Sequence, residues 1–158
     1  KAGVYFRPGK IIQASKNLGI GVAAYEKAAE YCQNYVQGGR ILIKHQAVAI
    51  RLAEMATKIC AVRSLLNEAS KAVDEKAPDA EALVNMVKLF ASEEIFKVCQ
   101  HAVELHGGNG IMLEFGVEKH LRDAAVFLHM DATVDISKFK IVKCLFPHTA
   151  GVYAGPEK

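Results

Sequence analysis

Residues 78–110, PDAEALVNMVKLFASEEIFKVCQHAVELHGGNG, decide the fold. Within them Ala80, Val84, Val87, Ala91, Ile95, Val98, Ala102 and Leu105 recur at steps of three and four. That spacing places the whole set on one face of an α-helix and would scatter it over both faces of a strand. Pro78-Asp79 marks the start, because proline is tolerated in a first turn and aspartate favours a helix N-terminus. Gly107-Gly108-Asn109-Gly110 marks the stop. A long helix with a single apolar stripe has to bury that stripe against other elements.

Working outward, the chain supplies those elements. Upstream, Val48, Leu52, Met55, Ile59, Val62, Leu66, Ala69 and Val73 form a second stripe. Ile11, Ala14, Leu18, Val22, Tyr25, Ala29, Cys32 and Val36 form another, which Gln37-Gly38-Gly39 is expected to end as a glycine C-cap. Downstream, shorter helices are predicted over Val117 to Phe127 and Thr133 to Leu145, the last stopped by Pro147. No internal repeat, low-complexity segment or β-strand run is evident. The sequence therefore predicts an all-α, up-and-down antiparallel helical bundle over 1–148, with a flexible tail over 149–158.

Composition narrows the function without naming it. About half the residues are apolar, and the formal charge of +3 is spread through mixed clusters such as Glu118-Lys119-His120. No basic block interleaved with aromatics occurs, which argues against a nucleic-acid binder. Cys32, Cys60, Cys99 and Cys144 form no C-x-x-C pair and are expected as reduced core thiols in a cytosol-like compartment. No apolar run is long enough to span a membrane, and no signal peptide is evident. The chain begins at Lys1, from which an N-terminal portion beyond these residues is expected. The histidines lack the spacings of zinc helices or di-iron bundles, so no metal site is predicted, and neither a nucleophile elbow nor a P-loop occurs. Spacing alone gives a helical bundle of unspecified use.

Four ordered segments say more. Lys44-His45-Gln46-Ala47-Val48, running into Arg51-Leu52-Ala53-Glu54-Met55-Ala56, resembles the start of the second C-terminal helix in the acyl-CoA dehydrogenase family. Lys88-Leu89-Phe90-Ala91-Ser92-Glu93 resembles the family's third helix, and Leu105-His106-Gly107-Gly108-Asn109-Gly110 the turn after it. Val117-Glu118-Lys119-His120-Leu121-Arg122-Asp123-Ala124 resembles the next signature. The likeness runs from about Lys10 to Lys143 and corresponds to the last of the family's three domains. It implies an FAD enzyme that oxidises acyl-CoA thioesters to enoyl-CoA. A carboxylate takes the α-proton, the β-hydride goes to flavin, and an electron-transfer flavoprotein receives the electrons. It further implies homologous subunits in a homo- or hetero-tetramer, in the cytoplasm of a bacterium or archaeon or the mitochondrial matrix of a eukaryote.

Carried over position by position, the resemblance puts His45, Gln46, His106, Gly107, Gly108, Thr133 and Asp135 near cofactor, with the FAD lying across a subunit interface. As residues alone, the glycines read equally as a C-cap, Thr133 as an N-cap and His45 as a helix-surface residue. The family's Tyr-Glu-Gly-Thr, which carries the catalytic glutamate in many members, corresponds to Met130-Asp131-Ala132-Thr133. The carboxylate of Asp131 is one methylene shorter, a retreat of about 1.5 Å. Asp131 thus reads as a working base for a repositioned substrate, as a relic, or as a cap for the following helix. Some members carry a glutamate on the first helix instead, where Arg7-Pro8-Gly9-Lys10 holds none. The family's Arg-x-x-Phe-Gly, whose arginine pairs with the FAD diphosphate, corresponds to Tyr35 through Gly39, so the arginine is absent. Glu104 stands where a glutamine is usual. These departures leave two alternatives to the enzyme: a non-catalytic subunit of a hetero-oligomer, or a ligand-free dimerisation module.

Overall fold

A computed structural model describes residues 2–148, with side chains from Pro8 onward. The predicted flexible tail over 149–158 lies outside the described residues. The periodic stretches form three long helices, α1 (Ala2–Asn34), α2 (Gln46–Asp74) and α3 (Ala80–His106). Two shorter ones follow, α4 (Glu118–Phe127) and α5 (Val134–Leu145). The all-α bundle expected from the sequence is the architecture observed. Helix α3 is its axis, since α1, α2, α4 and α5 all pack on it. Its apolar stripe is buried as predicted, with Val84, Val87, Ala91, Ile95, Val98 and Ala102 essentially inaccessible. The facing stripe of α2 buries Met55, Ile59, Val62 and Leu66. Each such side chain contributes roughly 1.5–3 kcal/mol by leaving water.

The seam of α1 differs from the predicted stripe. The residues it buries are Lys10, Ala14, Asn17, Leu18, Gly21, Ala24, Ala28 and Cys32, whereas Val22, Tyr25 and Ala29 flank the seam half-buried and Val36 is exposed. Small residues win this face because α1 lies close against α3. A Cβ at Gly21 would sit 2.7 Å from Ile95 Cδ1 and 2.9 Å from its Cγ2. Asn17 joins the two helices by donating from Nδ2 to Ala91 O at 2.9 Å. The cysteines divide in two: Cys32 and Cys99 are the core thiols expected, while Cys60 and Cys144 are exposed.

The stretch after α1 also departs from expectation. The helix stops at Asn34, and Gly38-Gly39 is not its C-cap. Instead, Val36–Gln37 (β1) pairs antiparallel with Arg40–Ile41 (β2) in a short hairpin that the sequence had not suggested. Gly38 and Gly39 are its two central residues, with φ of 61° and 79°. Positive φ at both centres is the requirement of the hairpin turn whose twist matches the strands. A 3₁₀ turn (Leu42–Lys44) then leads into α2.

Candidate functional site

At one end of α3 the structure places Asp131. It lies in the turn between α4 and α5, exposed, with φ of 55°, and Ala132 follows at 92°. Asp131 is no helix cap, for Thr133 occupies the N-cap position of α5. Its Oδ2 instead accepts a hydrogen bond from Gln13 Nε2 on α1. A Cβ at Gly9 would stand 3.7 Å from that same oxygen. The two places where the resembled family carries a carboxylate, the pre-α5 turn and the start of the first helix, therefore face each other here. Thr133 makes no capping bond with its own hydroxyl. Asp135, in the first turn of α5, pairs at 3.0 Å with Lys138, which also reaches Glu93 at 3.4 Å; its charge suits the positive end of the helix dipole.

Beneath Asp131 lie two lysines that sequence periodicity did not single out. Lys88, within the apolar stripe of α3, donates from Nζ to Ala132 O at 2.7 Å. Lys10 donates to Asn85 Oδ1. Both are almost wholly buried, at 2% and 3% exposure. Burial pushes the Lys88 ammonium below its ordinary pKa, against the pull of the Asp131 charge. Burial, followed by repulsion from Lys140 and Lys88, lowers Lys10 to about 8. The available signal was a lysine on the apolar face, four residues after Val84 and next to Val87.

At the other end of α3, Gly107 is the C-cap with φ of 58°, and Gly107–Ile111 form a 3₁₀ turn. Gly110 has no room for a side chain, since a Cβ there would meet Val103 O at 2.2 Å. Gly108, in contrast, faces open space. His106 is buried, and its Nδ1–H donates to Ala102 O at 2.7 Å. Burial, with help from nearby Lys27, holds its pKa below the usual imidazole value. Tyr31 stacks on His106 with centroids 4.2 Å apart, and Tyr35 stacks on Tyr31 at 4.8 Å. Asn109 Nδ2 donates to the Tyr31 hydroxyl at 2.9 Å. His45 caps the 3₁₀ turn before α2, its Nε2 bonded to Gln37 O at 3.0 Å, and Gln46 begins α2, exposed.

The two groups of predicted site residues are not brought together within one chain. Lys88 and His106 are 18 positions apart on one helix, which at about 1.5 Å per residue separates the ends by roughly 27 Å. One group surrounds Asp131, and the other surrounds the His106 turn.

Residues 4–143 match the family model described as "Acyl-CoA dehydrogenase, C-terminal domain". The chain belongs to the acyl-CoA dehydrogenase family. It is 32% identical over 137 residues to the mitochondrial isobutyryl-CoA dehydrogenase of Bos taurus, covering 87% of this chain and 33% of that one. It is 33% identical to subunit CarC of the caffeyl-CoA reductase–Etf complex of Acetobacterium woodii, covering 84% of this chain and 35% of that one. The butyryl-CoA dehydrogenase structure from Megasphaera elsdenii superimposes with a TM-score of 0.87 at 31% identity, over 91% of this chain and 37% of that one. This acyl-CoA dehydrogenase domain thus spans about a third of the length of those relatives.

The family's cofactor is FAD, and the groove at the His106 turn can be tested against it. Tyr31, Gln37, Leu42, Val48, His106 and Gly107 help line a space of about 220 Å³, together with Glu104, the one acidic side chain of the lining. A hydrogen bond from His101 chiefly holds the Glu104 carboxyl below its ordinary pKa. Burial holds the His106 imidazole below its usual pKa, and the charge this lining does carry is the Glu104 carboxylate. Open backbone at Gly107 and Gly108 would admit the cofactor sterically, but the charge is of the wrong sign. The charge in this lining does not favour the diphosphate of FAD, whereas Lys27 supplies a positive charge in the adjoining space around Tyr31, Tyr35 and His106.

Proposed function

We propose that this domain completes an acyl-CoA dehydrogenase in which Asp131 is the base that removes the α-proton of an acyl-CoA thioester, giving enoyl-CoA. The observation that carries the reading is the placement of Asp131 on a left-handed turn, exposed and oriented by Gln13 beside the open backbone of Gly9. Absence of a side chain at Gly9 leaves space next to a carboxylate one methylene short, so a substrate can approach by the distance the side chain has lost. A base within about 3 Å of its proton contributes roughly 10²–10⁴-fold. A flavin held by other segments of the complete protein would supply the acceptor for the β-hydride, and this chain's residues would serve the proton step. A relative named as a subunit of a reductase–Etf complex supports an electron-transfer flavoprotein as electron partner. D131N in the complete polypeptide is expected to lower kcat on acyl-CoA thioesters by about 10²–10⁴-fold with its melting temperature kept. Turnover equal to wild type would remove Asp131 from the role.

Glu104 in the groove, with Tyr35 where the family has an arginine, favours a second reading, in which the chain serves beside a homologous subunit that carries the missing arginine. Flavin content of the purified natural complex separates the two. One flavin per identical polypeptide supports a homo-oligomeric enzyme, and about half of that with a second homologous polypeptide supports the hetero-oligomer.

A further inference from the structure

We propose that Lys88 is a positioning residue for Asp131, acting through the carbonyl of Ala132 rather than on the substrate. The inference rests on Asp131 being the base. An ammonium is costly to bury, so one retained in an apolar stripe at 2% exposure is held there by a partner. Lys88 has that partner in Ala132 O, the carbonyl of a residue whose φ of 92° an L side chain disfavours. One turn further along α3, the buried Ser92 places its hydroxyl 2.8 Å from Phe127 O and 2.7 Å from Lys88 O, donating between them. Residues four apart share a face of a helix. Lys88 and Ser92 therefore grip both ends of the 127–132 segment from one rigid element. Asp131 lies between the two grips, itself at φ of 55°, with Gln13 as a third restraint on its carboxylate.

The arrangement is reciprocal. The Lys88 ammonium satisfies a carbonyl that the unusual turn points inward, and the negative charge of Asp131 helps Lys88 keep its proton against burial. Remove the ammonium, and Ala132 O loses its donor while nothing opposes relaxation of residues 131 and 132 to negative φ. That relaxation rotates the Asp131 carboxylate away from the space beside Gly9. The family's glycine at position 132 would adopt this φ without a side-chain penalty. With alanine there, the turn depends on the lysine.

The test compares the complete wild-type polypeptide with K88M, K88R and the double variant K88M/A132G. Steady-state kinetics on acyl-CoA thioesters is combined with hydrogen exchange at the Met130 and Val134 amides, which bond to Val126 O and Leu128 O. Methionine keeps the stem and removes the charge. K88M is expected to lower kcat roughly tenfold or more with KM within about twofold, and to speed exchange at both amides roughly tenfold. K88R should keep most of the activity, and adding A132G to K88M should recover roughly threefold or more of the lost kcat. Unchanged exchange in K88M overturns the proposal, as does a kcat loss that A132G does not recover, since damage to the core would not be repaired by a glycine in the turn. Full turnover in D131N would remove the base and with it the catalytic role of Lys88; loosened exchange in K88M would then identify only a structural anchor.

Discussion

The two ends of α3 solve opposite problems with the same helix. At the Lys88 end, one buried ammonium supports a short loop that carries a carboxylate at an unusual backbone angle. At the His106 end, a buried imidazole and two tyrosine rings support a glycine turn, and the one charge in the groove that Glu104 lines is negative. The first end holds an anion of its own, whereas the second sets a carboxylate in the groove beside its glycine turn and a lysine on the far side of the ring stack. Similarity to a family shows that both ends exist, but only the charges on each show what they can still do.

The contrast can be broken most severely at the His106 end. G110A places a Cβ against Val103 O, a backbone atom that cannot move without moving α3. A loss of about 3 kcal/mol or more in stability is expected, measured as a fall in melting temperature. Retained stability would mean that the turn is not locked to the helix.

At the opposite end, Lys10 should give a pH signature. Its pKa of about 8 in the fold lies below the ordinary 10.5, chiefly through burial and then through Lys140 and Lys88, with Glu81 acting weakly the other way. Between these values the unfolded chain holds a proton that the folded one has released. Stability from this group therefore rises with pH across that window, by up to about 3 kcal/mol. K10M should abolish the rise and be more stable than wild type near pH 7, a difference that denaturant titrations at pH 7 and pH 10 would reveal. Parallel pH profiles would show that Lys10 is not buried as described.

Restoring the missing charge at Tyr35 tests the same end. Y35R should strengthen diphosphate binding by a charge-assisted bond worth roughly 1.5–3 kcal/mol, read as at least tenfold tighter retention of FAD by the complete protein. No change would leave Glu104 as the group that disfavours the diphosphate. The smallest effect belongs to A132G, which should raise stability by about 0.5–1 kcal/mol by relieving a positive φ, visible as a small gain in melting temperature.

Much of this was legible in the sequence, for reasons that also explain the rest. Ile95 and Met55 announce their helices because large apolar residues at steps of three and four have one physical solution. Gly21 and Ala24 announce nothing, yet they form the α1 seam because close approach of two backbones rewards small residues. Gly38-Gly39 reads equally as a helix stop or a hairpin turn, and only the pairing of Val36 with Ile41 decides. Asp131 was visible as a carboxylate in a family motif, but its orientation depends on Gln13 and Lys88, which are 118 and 43 positions away. Local spacing carries no information about such partners. Nor could it reveal that Cys60 and Cys144 lie outside the core.

The ring stack of Tyr35, Tyr31 and His106 also makes this end of the domain optically readable. The chain contains no tryptophan. Two tyrosines held nearly parallel at 4.8 Å are electronically coupled, and one of them has its hydroxyl fixed by Asn109. Near-ultraviolet circular dichroism responds to such fixed tertiary packing. The isolated domain thus carries its own unlabelled reporter, tuned to the groove and silent about the Asp131 turn some five helical turns of α3 away, roughly 27 Å at about 1.5 Å per residue.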